Sequence, residues 1–289
     1  MAKTMRELAA DIKLAELVIQ IRDARIPISS VNPELDRLVS SKSNIIILNK
    51  SDLASPALTK QWIKHLSTPK NKVYTLSATD KNDVQRIKKE ILAYAGAIRA
   101  DIMKRKGINK TVRALVVGVP NSGKSTFINS FFGSAKAKTG NMPGVTRNRQ
   151  WIKAGIGFEL LDTPGLLMPN LGDESIALAL ASTNAIKNEL YDTYTLAMEM
   201  LDVYAPFLFK GIEARYSFSP EGMEPEKILQ GIAKAKSLLL RGGDPDLERA
   251  SNMLVNDFRT GKLGKITLEA VPTPALANEE APTSEENNQ

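Results

Sequence analysis

Gly118-Val119-Pro120-Asn121-Ser122-Gly123-Lys124-Ser125 fits the pattern G-x-x-x-x-G-K-[ST]. It stands where that pattern has physical meaning, between an apolar run at Val112 to Val117 and a helical run from Gly123 to about Phe132. The glycines let backbone N–H groups wrap a phosphate chain, and the helix that follows aims the positive end of its dipole at it. Lys124 is placed to neutralise charge on β- and γ-phosphates, and the Ser125 hydroxyl to ligate Mg²⁺. The stretch predicts a nucleoside-triphosphate site within an α/β fold.

On its N-terminal side, Asn44-Ile45-Ile46-Ile47-Leu48 is a continuous apolar, β-branched run of the kind buried on both faces of a parallel sheet. Leu17 to Ile21 and Val73 to Leu76 read the same way, and helical spacing falls at 3–16, 33–39, 56–66 and about 82–106. On the other side, strands are expected near 151–153 and 158–161. Strands alternating with helices over roughly residues 10–170 predict a doubly wound, mostly parallel sheet.

The ends of these strands carry the polar signals. Asn49-Lys50-Ser51-Asp52 follows the buried strand, and the Asp52 carboxylate can accept both N–H donors on the Watson–Crick edge of guanine, a pattern adenine does not offer. Ser77-Ala78 follows the next strand and supplies a small backbone contact to the base. In Asp162-Thr163-Pro164-Gly165, Asp162 fits a carboxylate that holds Mg²⁺ through water. The Gly165 N–H fits a γ-phosphate contact whose loss would release the loop. Thr146, in Pro143-Gly144-Val145-Thr146, is the candidate switch threonine completing the metal shell.

The expected nucleotide contacts are thus Asn49, Lys50, Ser51, Asp52, Ser77, Ala78, Asn121, Ser122, Gly123, Lys124, Ser125, Thr126 and Gly165. Lys124, Thr146 and Gly165 would serve the reaction, and Ser125, Thr146 and Asp162 the metal. GTP is the expected nucleotide; an ATP-dependent kinase would require Asn49 to Asp52 to be accidental.

The 289 residues are 43% hydrophobic and 25% charged, a globular composition with length enough for two domains. No apolar run approaches the length that spans a bilayer, and the N-terminus lacks a signal core, so a cytoplasmic protein without a membrane partner is expected. The absence of cysteine excludes disulfides, thiol catalysis and cysteine-ligated zinc, and the single histidine, His65, cannot build a metal site alone. His65 reads as a surface histidine at the base end of the site, and Trp151 as either strand packing or an RNA-stacking residue.

Past residue 172 the spacing becomes helical, with breaks near Pro206, at Ser219 to Gly222 and at Gly242 to Pro245. The expected division is a nucleotide-binding domain at 1–172, a helical domain at 173–267 and a disordered tail at 268–289. The formal charge is +7; residues 271–289 hold four glutamates and no base, which leaves +11 on residues 1–270. Such an excess points to a polyanionic partner. Five bases and no acid lie between 134 and 158, and six bases stand against Asp101 between 99 and 113, although the second run also reads as a solvated helix face.

Ordinary small GTPases run phosphate loop, switch threonine, D-x-x-G, N-K-x-D and S-A; this chain begins with the last two. With Asp23-Ala24-Arg25-Ile26-Pro27, Thr139 to Thr146 and Asp257-Phe258-Arg259-Thr260-Gly261-Lys262-Leu263-Gly264, that order resembles the YlqF/RbgA family of circularly permuted ribosome biogenesis GTPases over about residues 1–268. The resemblance implies a circularly permuted P-loop GTPase domain followed by a small all-helical domain that touches ribosomal RNA. It implies action on the large ribosomal subunit precursor, with Mg²⁺ and GTP as substrate; a monomer is expected, and Asn121 is a candidate for the potassium contact that some GTPases make through a phosphate-loop asparagine. In place of a glutamine after D-x-x-G stands Leu166, as the family shares, and the family's catalytic histidine lies in a Phe-Pro-Gly-His segment ahead of a Met-Ala-Lys. Here Met1-Ala2-Lys3 opens the sequence and that histidine is missing from it, so either the start was placed too late, the favoured expectation, or GTP is hydrolysed differently. The alternative is a GTP-dependent RNA clamp with negligible turnover.

Overall fold

The computed structural model describes residues 2–133, 151–163, 173–186 and 192–272. A six-stranded sheet is built from β1 (Leu17–Asp23), β2 (Ser43–Asn49), β3 (Asn71–Leu76), β4 (Val112–Val117), β5 (Ile152–Gly155) and β6 (Phe158–Asp162) in the order β3-β2-β1-β4-β6-β5. All neighbours are parallel except the β5–β6 pair at the edge.

Alternation along the buried strands explains the double winding. Leu17, Ile19, Ile21, Ile45 and Ile47 face one layer, against Val84, Ile87 and Ile91 of α4 (Lys81–Lys106) and Phe127 and Phe131 of α5 (Lys124–Phe132). Val18 and Val117 face the other layer with Leu8 and Ile12 of α1 (Ala2–Leu14) and Leu35 and Val39 of α2 (Pro33–Val39). Ile46 and Leu48 there meet Trp62 of α3 (Pro56–Leu66). Each large apolar side chain buried this way contributes about 1.5–3 kcal/mol. Local signals fix the ends: the Asn32 side chain accepts the N–H groups of Glu34 and Leu35, Asp80 caps α4, and α4 stops at Gly107 in the left-handed region.

Among the described residues five further helices follow: α6 (Glu174–Ser182), α7 (Thr193–Val203), α8 (Ala205–Tyr216), α9 (Pro225–Ala235) and α10 (Leu247–Arg259). Pro206 falls in the first turn of α8, where its missing N–H costs no helical bond. Their common core includes Leu196, Met200, Ile212, Ile232, Leu254 and Phe258, and it also takes in Ile26 and Val119 from the loops that leave β1 and β4.

The chain after α10 departs from expectation. A disordered tail was expected from 268, but Leu268 is 3% exposed and its N–H donates to the carbonyl of Arg25 (2.8 Å). The ordered strap extends through the residues that return to the sheet domain, and their apolar side chains are what a composition-based reading overlooks. Residues 273–289 lie outside the described residues.

Candidate nucleotide-binding site

Every predicted motif that is described sits at the carboxyl ends of the parallel strands, the edge where doubly wound sheets bind ligands. The phosphate loop leaves β4 and enters α5. A Cβ at Gly118 would lie 2.5 Å from the carbonyl oxygen of Ile21, so no side chain fits there. Gly123 has φ +92 and would drive a Cβ into the Asn49 amide. It is also the N-cap of α5 and supplies no side-chain cap, which leaves the first-turn N–H groups of that helix to an anion.

Asn49 joins the two halves of the site. It is 2% exposed at the end of β2; its Nδ2 donates to the carbonyl of Ser122 (2.8 Å), and its Oδ1 accepts the N–H of Ala78 (3.1 Å). One side chain thereby ties the phosphate loop, the N-K-x-D segment and the Ser77-Ala78 turn together, although 73 residues separate Asn49 from Ser122. Lys50 lines a cleft of about 540 Å³ with Asn121, Gly123, Lys124, Ser125 and Thr126. Lys124 is buried, while Ser125, Thr126 and Asp52 are exposed. The N–H of Ser51 donates to the carbonyl of Leu76 (3.2 Å), and that of Ser77 to the Asp83 carboxylate (2.7 Å), so one turn at the base end is held by a strand carbonyl and the other by a side chain of α4.

The Asp162 backbone lies opposite Val116 in the β4–β6 register, one position short of the end of β4. The neighbouring Thr163 hydroxyl donates to the carbonyl of Val116 (2.7 Å). Among the described residues no cluster of three or more His, Cys, Asp or Glu forms a self-sufficient metal site. Ser125 in the first turn of α5 and Asp162 at the end of β6 are oxygen-bearing residue types, the sparse donor set that suits Mg²⁺ shared with phosphate. Thr146, Gly165 and Leu166 lie outside the described residues.

Several residues that act here carried no assigned role in the sequence. Asp23 is buried; it takes three hydrogen bonds from Arg25, from the backbone N–H (3.0 Å), Nε (3.0 Å) and Nη2 (2.8 Å), and an ion pair from Lys50 (3.0 Å). Burial alone would push this carboxyl up. The charge and hydrogen bonds of Arg25 and the charge of Lys50 outweigh that and hold it below the ordinary aspartate value. Arg25 in turn lies over the Phe258 ring (5.3 Å) and donates to the carbonyl of Arg259 (3.3 Å). Arg259 closes the end of α6 by donating to the carbonyls of Ala181 (2.7 Å) and Ser182 (3.1 Å). The Asn121 amide nitrogen, on the phosphate loop, donates to the carbonyl of Asn184 (2.6 Å). The quoted Asp23 to Pro27 and Asp257 to Gly264 motifs are thus two sides of one contact.

His65 is exposed and edge-on to Trp62 (5.4 Å), and Trp151 packs beside the α1–α2 layer under the Arg113 guanidinium (5.1 Å), which favours the packing reading. In the 99–113 run, Arg99 bonds Asn109, Arg105 pairs with Asp101, Lys110 with Glu16 and Arg113 with Glu159, so much of its charge is answered within the chain. No described helix is long and apolar enough to cross a membrane.

A parallel α/β sheet with a phosphate loop and a guanine-type motif meeting at one edge, in permuted chain order, defines a P-loop GTPase. The family described as 50S ribosome-binding GTPase matches residues 113–214. Ribosome biogenesis GTPase A of Bacillus cereus is 37% identical over 273 residues, covering 93% of this chain and 91% of its own. The mitochondrial ribosome-associated GTPase 1 of Mus musculus is 30% identical, covering 95% and 90%. GNP-bound YlqF from T. maritima superposes with a TM-score of 0.61 at 25% identity, covering 93% of this chain and 98% of that one. The chain belongs to the ribosome biogenesis GTPase A (YlqF/RbgA) family.

Proposed function

We propose that this GTPase binds GTP in the cleft between Lys50 and Thr126 and hydrolyses it while bound to a precursor of the large ribosomal subunit. The observation that carries the reading is Asn49, whose amide holds the phosphate loop and the base-reading turns in one site. Asp52 reads the guanine edge, Ser77 and Ala78 flank the base, and the N–H groups from Asn121 to Thr126 cradle the phosphates. Lys124 offsets the charge that builds on the β–γ bridge as the terminal phosphoryl leaves, which is where most of the rate enhancement arises. Ser125, Thr146 and Asp162 hold Mg²⁺, which when bound neutralises phosphate oxygens. The Gly165 N–H contacts the γ-phosphate, and loss of that phosphate releases the contact. If potassium binds, Asn121 would hold it through its carboxamide oxygen, because its amide N–H already donates to the carbonyl of Asn184.

The protein acts in the cytoplasm as a monomer, in three parts: a GTPase domain at 1–172, a helical domain that contacts ribosomal RNA, and a tail. Val119 and Ile26 in the helical core support a nucleotide-dependent orientation of that domain. The basic stretch from Lys136 to Lys153 adds salt-sensitive contacts to RNA phosphates.

Phosphate release measured with and without large-subunit precursor particles tests the reading: hydrolysis is expected to rise on the particle. Equal rates together with GTP-dependent particle binding would favour the clamp instead. Asp52→Asn is expected to exchange preference for guanine for preference for xanthine nucleotides, and an unchanged preference would overturn the base assignment.

A further inference from the structure

The strap that follows α10 returns to the base end of the cleft and closes on the segment that holds Asp52. The N–H of Ile266 donates to the carbonyl of Leu53 (3.0 Å), one residue past Asp52. The Thr267 hydroxyl, 1% exposed, accepts the N–H of Ser55 (3.1 Å) and donates to the carbonyl of Ala24 (3.4 Å). Ala24 itself donates to the carbonyl of Asn49 (2.8 Å), so that hydroxyl bridges the two ends of the Asn49–Ser55 loop. The Glu269 carboxylate then takes the N–H groups of Ile28 (2.6 Å) and Ser29 (3.0 Å), and its carbonyl takes the Trp62 indole N–H (3.0 Å). Gly261, at φ +75, lies against the Leu53 side chain, whose terminal methyl a Cβ there would displace.

We propose that Thr267 and Glu269 are positioning residues for guanine selectivity: the strap fixes the loop that aims Asp52, so the chain some 200 residues away sets how sharply the base is read. This rests on the assignment of Asp52 to the guanine edge. Carboxylate recognition of two N–H donors depends on angle, and a loop free to swing loses the second bond before the first. The phosphate loop makes no contact with the strap in any bond named above, so phosphate affinity should not follow. Selectivity for the exocyclic amine is therefore the quantity the strap controls.

The test compares the full chain's affinities for fluorescent GDP and IDP, since inosine lacks the 2-amino donor. In Thr267→Val, which keeps the shape and removes both bonds, the GDP/IDP preference is expected to fall about three- to tenfold with IDP affinity unchanged, a partial weakening of the bond to the 2-amino group rather than its full loss. Glu269→Ala should act in the same direction, and Thr267→Ser, which restores the hydroxyl, should recover the preference. A general loss of stability would scale both affinities together and leave the ratio alone. If Thr267→Val and Glu269→Ala keep the wild-type ratio while Asp52→Asn abolishes it, the strap is overturned and the base assignment stands. If Asp52→Asn leaves the ratio unmoved, the base assignment fails and takes this inference with it.

Discussion

The two ends of the cleft are built by opposite means. The phosphate end is eight consecutive residues, Gly118 to Ser125, whose conformation is forced by two glycines that lack room for a Cβ and by the helix they open. The base end is assembled from four segments, at 23–30, 49–55, 77–78 and 266–269, and the contact between Ser55 and Thr267 spans 212 residues. Local construction makes a site that a short pattern announces. Distributed construction makes one whose affinity answers to distant parts of the chain.

The largest expected effect falls on the distributed side. Asp23→Ala would leave the Arg25 guanidinium, 2% exposed, without its carboxylate, and losing one partner of a buried pair costs about 3–5 kcal/mol. Chemical denaturation of the nucleotide-free protein checks this; a loss below about 1 kcal/mol would mean that the pair is not buried in solution. The same carboxylate gives a sign in pH. Its folded value lies below the ordinary 3.8, so its contribution is complete above that value and disappears as pH falls through the folded value. Asp23→Asn should flatten the acid limb of the stability profile below 3.8 and leave the neutral region's slope unaltered.

Next comes the local side. Lys124→Ala should reduce hydrolysis by about a hundred- to a thousandfold, the usual cost of removing one charge-stabilising donor, with little change in unfolding midpoint because the loop is shaped by its glycines. A large drop in midpoint would break the contrast between the two ends. Gly123→Ala attacks that shape directly: a Cβ at φ +92 against Asn49 should cost about 1–3 kcal/mol and weaken all nucleotides alike, guanine or not. Binding assays with GDP and IDP separate this from the strap variants, since here the ratio is conserved.

The same contrast explains what could be read from the sequence. Asn44 to Leu48, Val112 to Val117 and the phosphate loop were legible because burial on both faces and backbone freedom leave marks within a few residues. The Asn49 to Asp52 segment stood out because it follows a buried strand in a chain that already carries a phosphate loop. The role of Asn49 as the joint between halves was not, since a polar strand end looks the same whether it bonds to water or to Ser122. Asp23, Arg25 and Arg259 stood in quoted motifs, yet their chemistry lies in contacts with each other and with Lys50, pairings that no spacing rule supplies. Thr267 and Glu269 carried no signal: a short run of ordinary residues near a polar, proline-rich end gives no hint of the partners that order it.

The smallest effect is the most discriminating, because Asn121 belongs to both descriptions. It sits in the local loop at φ 55, yet its amide donates to a carbonyl beyond α6. Asn121→Gly removes that donor in a left-handed position that glycine enters freely and should lower the unfolding free energy in urea by about 0.5–1.5 kcal/mol. The acceptor, however, is the Asn184 backbone, so substitution there keeps the bond and acts only through conformation. Asn184 has φ 62; Asn184→Gly retains the acceptor in a region glycine enters freely and should stay within a few tenths of a kcal/mol, whereas Asn184→Ala pays about 1 kcal/mol for the left-handed backbone. An Asn121→Gly loss that GDP cancels would place the bond within the response to nucleotide. A loss that persists unchanged with GDP would make it a fixed strut between the phosphate loop and the helices.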